Sequence, residues 1–335
     1  MNMSGIKIAL DVYGGDLAPD VNIDGAILAL KGLKDLEITL VGKKDEINRL
    51  LEKRGFASER LSIYDAPDVF GMAEKPSQLL RKRNSSLFKT AELVKKNEVD
   101  AMVSAGNTGG VLVAGLFVVG RIKGIERGAI AVPISSKRGF TVLLDCGANL
   151  EVRPGHLRDF AKMGFEYARI LGKESPLVGL LNVGEEEEKG TELVKEAFGM
   201  IKEALGETFV GNVEGRDILY GNVDVVVTDG FKGNVAMKTI EGTAKFIGDL
   251  LKMHIKQAGI LGLLGGLLLK GAFNNLKKSL DPRIYGGAFI LGVKGVVVKA
   301  HGNSDALAIS NAIKVACNGV KGRLVEKLEA RFGSE

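Results

Sequence analysis

The sequence predicts an α/β protein built on a parallel sheet with crossover helices, and three observations predict it. Six apolar runs stop at a small polar residue and turn on glycine: IALDVYGGD, AMVSAGNTGG, TVLLDCGAN, VGLLNVGEE, DVVVTDGFKGN and VVVKAHGNS. Each is followed within a few residues by apolar spacing of helical period, the mark of strand–turn–helix units. No linker, low-complexity tract or composition break divides the 335 residues, so residues 1–335 read as a single α/β domain. In a parallel sheet the six turns collect at the carboxyl ends of the strands, where open α/β sheets bind ligands. Glycine admits a ligand close to the backbone, and helix N-termini offer unpaired N–H groups. That edge is expected to take a small anion, with phosphate the first candidate.

The elements follow in order. Ile6–Leu10 is the first strand, ended by Asp11, and Pro19–Lys31 a helix with proline in its first turn. Glu37–Val41 and Leu61–Tyr64 are strands around a helix at Lys44–Lys53. Lys75–Lys96 is helical in two pieces, broken near Asn84-Ser85. Ala101–Ser104 is a strand, and Thr108–Val119 a nearly uncharged, hence buried, helix. Ile130–Pro133 and Thr141–Leu144 are strands around a Ser-Ser-Lys-Arg-Gly turn. Helices at Pro154–Leu171, Thr191–Leu205 and Gly233–Ile255 then alternate with strands at Leu177–Leu181, Phe209–Gly211 and Asp224–Thr228. Strands at Ala288–Leu291 and Val296–Lys299 precede a final helix, Asp305–Arg331, capped by Ser304 or Asp305.

Composition excludes several classes. Aromatic residues are 6% with no Trp, which removes the stacking platforms of single-strand nucleic-acid binders. The net charge of +5 suits anionic small molecules, acidic protein partners or an anionic membrane surface. Cys146 and Cys317 form neither a disulfide framework nor a metal-ligand spacing, and no His/Cys cluster exists, so no metal is expected. The N-terminus enters a strand with no apolar leader, which predicts a reducing cytosol.

The turn Ser104-Ala105-Gly106-Asn107-Thr108-Gly109-Gly110 is the main phosphate candidate. It leaves a strand, exposes N–H groups and enters a helix whose dipole favours an anion. Gly106 and Gly109 give the backbone approach, and Asn107 and Thr108 add side-chain hydrogen bonds; the alternative is a tight turn with Thr108 as helix cap. It is neither a G-x-G-x-x-G fingerprint nor a Walker loop, which disfavours nucleotide binding. In Asp229-Gly230-Phe231-Lys232-Gly233-Asn234, Lys232 lies between glycines at a strand end, either as a point charge on phosphate or as a solvated turn lysine. Asp145, Gly147 and Asn149 form a similar turn. Carboxylates repel phosphate, so Asp145 and Asp229 are assigned to positioning within the substrate-binding set.

His301 sits at a strand end beside Gly302-Asn303-Ser304 and is the histidine placed to act as acid, base or anion donor, the alternative being a structural histidine. Cys146 reads either as an activated thiol near a helix N-terminus or as a small buried residue. Glu185–Glu188 read as a solvated helix start, after which Lys189 can bring a cation to the site.

Leu250–Leu280 is distinct. It carries five lysines and no acid, and QAGILGLLGGLLL is an uncharged stretch of 13 residues, too short to span a bilayer as a helix. It is expected to form an apolar, basic helical insertion at about 250–282. The readings are a helical hairpin buried at a subunit interface, contact with an anionic membrane surface, or a dock for an acidic protein with apolar cargo.

Taken together, ALDVYGGDLAPD, VSAGNTGG, LLDCGAN, LLNVGEEEEKGTEL, FVGNVEGRDI, DVVVTDGFKGNVAMKTIEG and YGGAFILGVKGVVVKAHG resemble, nearly end to end, the bacterial phosphate acyltransferase family of phospholipid synthesis (PlsX). Two departures are Tyr13, where the family usually has Met, and Cys146, where it has an aliphatic residue; the second argues against a required nucleophile. The resemblance implies a three-layer α/β/α Rossmann-like sandwich similar to isocitrate and isopropylmalate dehydrogenases. It also implies transfer of a long-chain acyl group from acyl carrier protein to inorganic phosphate, no nicotinamide or other cofactor, a homodimer, and delivery of acyl phosphate to a membrane acyltransferase. For that reaction the site must hold phosphate and stabilise an oxyanion, because a thiolate leaves without strong acid assistance. His301, Lys232, Asn234 and Lys189 are the candidate catalytic groups, with Gly106, Asn107, Thr108, Gly109, Asp145, Asn149, Asp229 and Gly233 binding substrate.

Overall fold

A computed structural model describes residues 5–273 and 286–333; positions 274–282 of the expected insertion lie outside the described residues. In chain order the elements are β1 (Ile6–Asp11), α1 (Asp20–Gly32), β2 (Leu36–Gly42), α2 (Lys44–Lys53), β3 (Leu61–Asp65), a 3-10 turn (Pro76–Arg81), α3 (Ser86–Lys95), β4 (Ala101–Ser104) and α4 (Thr108–Val113). A π-helical run (Ala114–Val119) continues α4. Then come β5 (Ala129–Ser136), β6 (Gly139–Leu144), α5 (Pro154–Ile170), β7 (Val178–Leu181), α6 (Glu192–Leu205), β8 (Phe209–Val213), α7 (Gly215–Tyr220), β9 (Val225–Val227), α8 (Gly230–Gln257) and α9 (Gly259–Leu268). The chain closes with β10 (Ala288–Leu291), β11 (Val296–Lys299), α10 (Ala306–Lys321) and α11 (Leu324–Phe332).

The strands form one sheet in the order β3-β2-β1-β4-β11-β10-β5-β6-β9-β7-β8. The block β3-β2-β1-β4-β11 is parallel within itself, and so is the block β6-β9-β7-β8. Between them β11–β10, β10–β5 and β5–β6 are all antiparallel. An odd number of reversals sets the two blocks in opposite directions, which corrects the expectation of a parallel sheet with one ligand edge. The register runs Leu10–Val103–Val298–Phe289–Ala131, and Val132 pairs Leu143. The blocks are therefore staggered, and their carboxyl ends approach each other across the middle of the sheet. Six turns become two facing sets: those after β1, β4 and β11, and those after β6, β7 and β9.

Both sheet faces are covered, so the strands are apolar on both sides and read as continuous runs. Val225 and Val227 face one core, and Val226, by the period of two, faces the other. The first core packs α1, α2, α5, α6, α10 and α11; the second packs α3, α4 and α7, with Ala236, Met237 and Ile240 of α8 on its rim. This is the three-layer α/β/α arrangement. The expected closing helix is two helices, because Arg323 takes a left-handed backbone (φ 54°) after Gly322 and turns the chain. Glu185–Glu188 form turns rather than a helix start, tied by an Arg216–Glu185 pair at 3.5 Å and by Asn212 Nδ2 donating to Glu186 O at 2.8 Å.

Candidate active site

The first set of turns is knitted around Asp11 at the end of β1. Its buried carboxylate accepts from Ser86 Oγ (2.6 Å), Ser104 Oγ (2.7 Å) and Tyr13 N (3.3 Å), while burial pushes its pKa up against those donors. Ser104 in turn accepts from Gly106 N at 3.0 Å. Gly14 has to be glycine here: a Cβ would stand 2.6 Å from Gly106 N. Asp16 N donates to Gly302 O (2.8 Å) and Ala300 N to Ser104 O (2.9 Å), so the β11 turn joins the same set. Asn107, not Thr108, caps α4: its Oδ1 accepts from Gly110 N (3.0 Å) and its Nδ2 donates to Met72 O (2.6 Å). The Asn107 side chain is thus engaged with protein. The backbone amides of Thr108 and Gly109 have no protein acceptor among the described residues.

The second set is built on Asp145, whose buried carboxylate accepts from Ile130 N (3.0 Å), Ala148 N (3.0 Å), Asn149 N (2.7 Å) and Asn149 Nδ2 (2.9 Å). Burial pushes this carboxyl up, opposed by those donors. Asn149 O accepts from Gly230 N at 2.8 Å and fixes the start of α8. The expected turn at Asp229–Asn234 is the first stretch of that helix: Asp229 is its cap and accepts from Lys232 N at 2.8 Å. Lys232 Nζ is paired with the Asp229 carboxylate. Asn234 Nδ2 donates to Cys146 O at 3.2 Å.

α8 links the two sets. Lys238 Nζ lies 3.5 Å from His301 Nε2 and 2.9 Å from Glu241 Oε2. Asn234, Lys238 and Glu241 are spaced i, i+4, i+7 and share a helical face. Burial, then the Lys238 charge, holds the His301 imidazole below the usual histidine range, with Glu241 opposing. Lys299 ends β11 with its ammonium buried, and burial pushes its pKa down to about 8. Lys189 lies in the β7 turn of the second set, but its described bonds reach no other turn: its O accepts from Asn182 Nδ2 at 3.0 Å and its N donates to Glu186 O at 3.1 Å, both within its own loop.

The structure therefore gathers Gly106, Asn107, Thr108, Gly109 and His301 on one side, and Asp145, Asn149, Asp229, Lys232, Gly233 and Asn234 on the other. Sequence reasoning passed over Lys238, Glu241 and Lys299. The helical spacing from Asn234 was readable for the first two, and a lone lysine closing an apolar strand for the third. Cys146 is 2% exposed, donates from Sγ to Leu143 O (3.3 Å), and burial with Asp145 and Glu241 pushes its thiol well above the usual range. Such a thiol is a poor nucleophile. Cys146→Val is expected to keep kcat/KM within about twofold, because a thiol held protonated takes no part in the transfer; loss of turnover together with an acyl group trapped on Cys146 would overturn this.

Among the described residues no three His, Cys, Asp or Glu side chains are grouped to hold a metal ion. No helix there is long and apolar enough to cross a membrane.

A model of the family described as fatty acid synthesis protein matches residues 6–327. A phosphate acyltransferase of Thermotoga neapolitana is 52% identical over 324 residues, covering 97% of this chain and 96% of the relative. One of Thermotoga maritima is 51% identical with the same coverage. Among solved structures, a phosphotransacetylase from Streptococcus pyogenes superposes with a TM-score of 0.66 at 18% identity, covering 97% of this chain and 95% of that one, a likeness of fold. Matched along almost its whole length, and with the motifs that carried the resemblance lying in both sets of turns, the chain belongs to the fatty acid synthesis protein family, that of the phosphate acyltransferases, and acyltransferase chemistry is the activity of that family.

Proposed function

We propose that the protein transfers a long-chain acyl group from the thioester of acyl carrier protein to inorganic phosphate. A phosphate oxygen attacks the thioester carbonyl, the C–S bond breaks, and acyl phosphate and the carrier thiol are released. The observation that carries this reading is the α4 turn, whose Thr108 and Gly109 amides lack a protein acceptor among the described residues and whose strand is tied by Ala300 N to the turn that carries His301, itself 3.5 Å from Lys238. Backbone donors fixed by the Asp11 network need no reorganisation as charge develops, which is how an anion and an oxyanion are stabilised. With no nucleotide fingerprint and no thiol poised to react, attack by phosphate is direct. Purified protein given labelled phosphate and acyl-carrier thioester should release the carrier thiol and carry the label into a lipid-extractable acyl phosphate. Thiol release equal without phosphate, no label in the lipid fraction, or turnover of acyl-CoA in preference to the carrier would sink this reading.

His301 is the proton acceptor for the attacking phosphate in this scheme. Its depressed pKa leaves it neutral at pH 7, the form that accepts a proton. Activity should therefore fall only as pH drops below the usual histidine range, with the acid limb absent in His301→Gln. An unchanged limb in that variant would remove His301 from this role.

The acidic carrier, the lipid-like product and the exposed apolar helices α8 and α9 support a cytoplasmic homodimer that touches an anionic membrane and hands acyl phosphate to a membrane acyltransferase. On α9, Ile260, Leu264, Leu267 and Leu268 are spaced i, i+4, i+7, i+8, with Ile260 78% and Leu268 87% exposed. An exposed apolar stripe of this kind marks an interaction site.

A further inference from the structure

Lys299 closes the apolar strand β11, its residue 9% exposed. Its Nζ donates to Ala300 O and, at 3.4 Å, to Ala105 O. Two of its three N–H bonds are thereby used. No carboxylate forms an ion pair with it among the described residues. Burying an ammonium without a paired carboxylate is costly. Nothing in strand pairing requires a lysine there, since Val296–Val298 fill the same strand with apolar side chains.

The position of this charge is informative. Ala105 immediately precedes Gly106 in the α4 turn, and Ala300 immediately precedes His301. Lys299 thus holds the two backbone segments on which an anion would rest. The charged groups that act on it are Asp16, from the β1–α1 turn, and Lys238, from α8; His301 in turn feels both lysines. By contrast, Lys232 is half exposed and already paired with Asp229.

We infer that Lys299 is the cationic anchor for inorganic phosphate, and for the phosphoryl group of the acyl phosphate formed from it, its remaining N–H completing a cradle with the Thr108 and Gly109 amides. This rests on the phosphate reading of the α4 turn. The anion supplies the counter-charge that the fold withholds. Release of product then leaves the site with an unpaired buried cation again, which favours capture of the next phosphate.

The test compares wild type with Lys299→Met, which matches the stem without the charge, and Lys299→Arg, which keeps the charge. The phosphate KM of Lys299→Met should rise at least about tenfold, the worth of a charge-assisted hydrogen bond, while the KM for the acyl donor stays within about twofold. Inorganic phosphate should raise the Tm of wild type but not of Lys299→Met, because ligand that binds only the folded state stabilises it. In wild type the phosphate KM should climb as pH rises through about 8, where Lys299 loses its proton, and this climb should vanish in Lys299→Arg. A Lys299→Met protein with unchanged phosphate KM and Tm response overturns the lysine assignment alone. A wild type whose rate and Tm both ignore phosphate overturns the phosphate reading and the inference with it. Loss of native circular dichroism in both variants assigns Lys299 to the core and refutes the inference.

Discussion

Gly233→Ala is expected to destabilise the protein by roughly 3 kcal/mol or more and to lower acyl transfer about 100-fold, since overpacking against backbone cannot be relieved by a rotamer and small displacements of a site are costly. A Cβ at this position would stand 1.9 Å from Asp145 O and 3.0 Å from Thr228 Cγ2. Asp145 cannot retreat, because four N–H groups hold its carboxylate and β6 pairs on both sides. The start of α8 must lift instead. That breaks the Gly230–Asn149 bond and the Asn234–Cys146 bond, and it carries Lys238 away from His301. Gly242→Ala, on the same helix with no atom within 4 Å of the new methyl, is the control and should stabilise by up to about 1 kcal/mol. Urea unfolding of the two variants decides the matter. Gly233→Ala melting within about 0.5 kcal/mol of wild type, the range of a neutral surface change, would show that the junction is loose.

The second large effect concerns the membrane. Replacing Leu264, Leu267 and Leu268 by serine should weaken binding to anionic vesicles at least about 100-fold, because interfacial burial of three leucines is worth several kcal/mol at about 25 cal/mol per Å². These side chains are 53%, 65% and 87% exposed, so little folding stability depends on them. Transfer with soluble acyl-carrier substrate should be unaffected. Binding of the wild type should fall with salt, as Lys252, Lys256 and Lys270 meet anionic headgroups. Vesicle binding that survives in the variant, with the dimer lost in sedimentation, would make this stripe a subunit interface.

The strand–glycine–helix units were readable because each is a local pattern: a run of apolar residues, a glycine, then a change of period. The direction of the second block was not readable. The hairpin of β5 and β6 is visible as a turn around Ser136–Gly139, but its insertion beside β10 depends on partners such as Ala131 and Phe289 that are far apart in the chain. Asn107 and Thr108 illustrate a finer limit, since both are good caps and only the loop before the 3-10 turn, with Met72 O and Glu74 O as acceptors, selects Asn107. Lys299 was hidden by its strand: a single lysine among valines looks like a strand end until the neighbouring carbonyls are placed.

The position of β11 also bears on synthesis. Strands β1 to β4 come from the first third of the chain, yet the neighbour that covers β4 is made almost last. A nascent chain therefore carries an open β4 edge, together with an incomplete first set of turns, for on the order of tens of seconds at ordinary elongation rates. Unpaired edges recruit other strands. A chain arrested before Val296 should be insoluble and captured by holdase chaperones, whereas one released after Arg331 should not; the enzyme's yield in a cell is then set in part by how quickly its last forty residues are delivered.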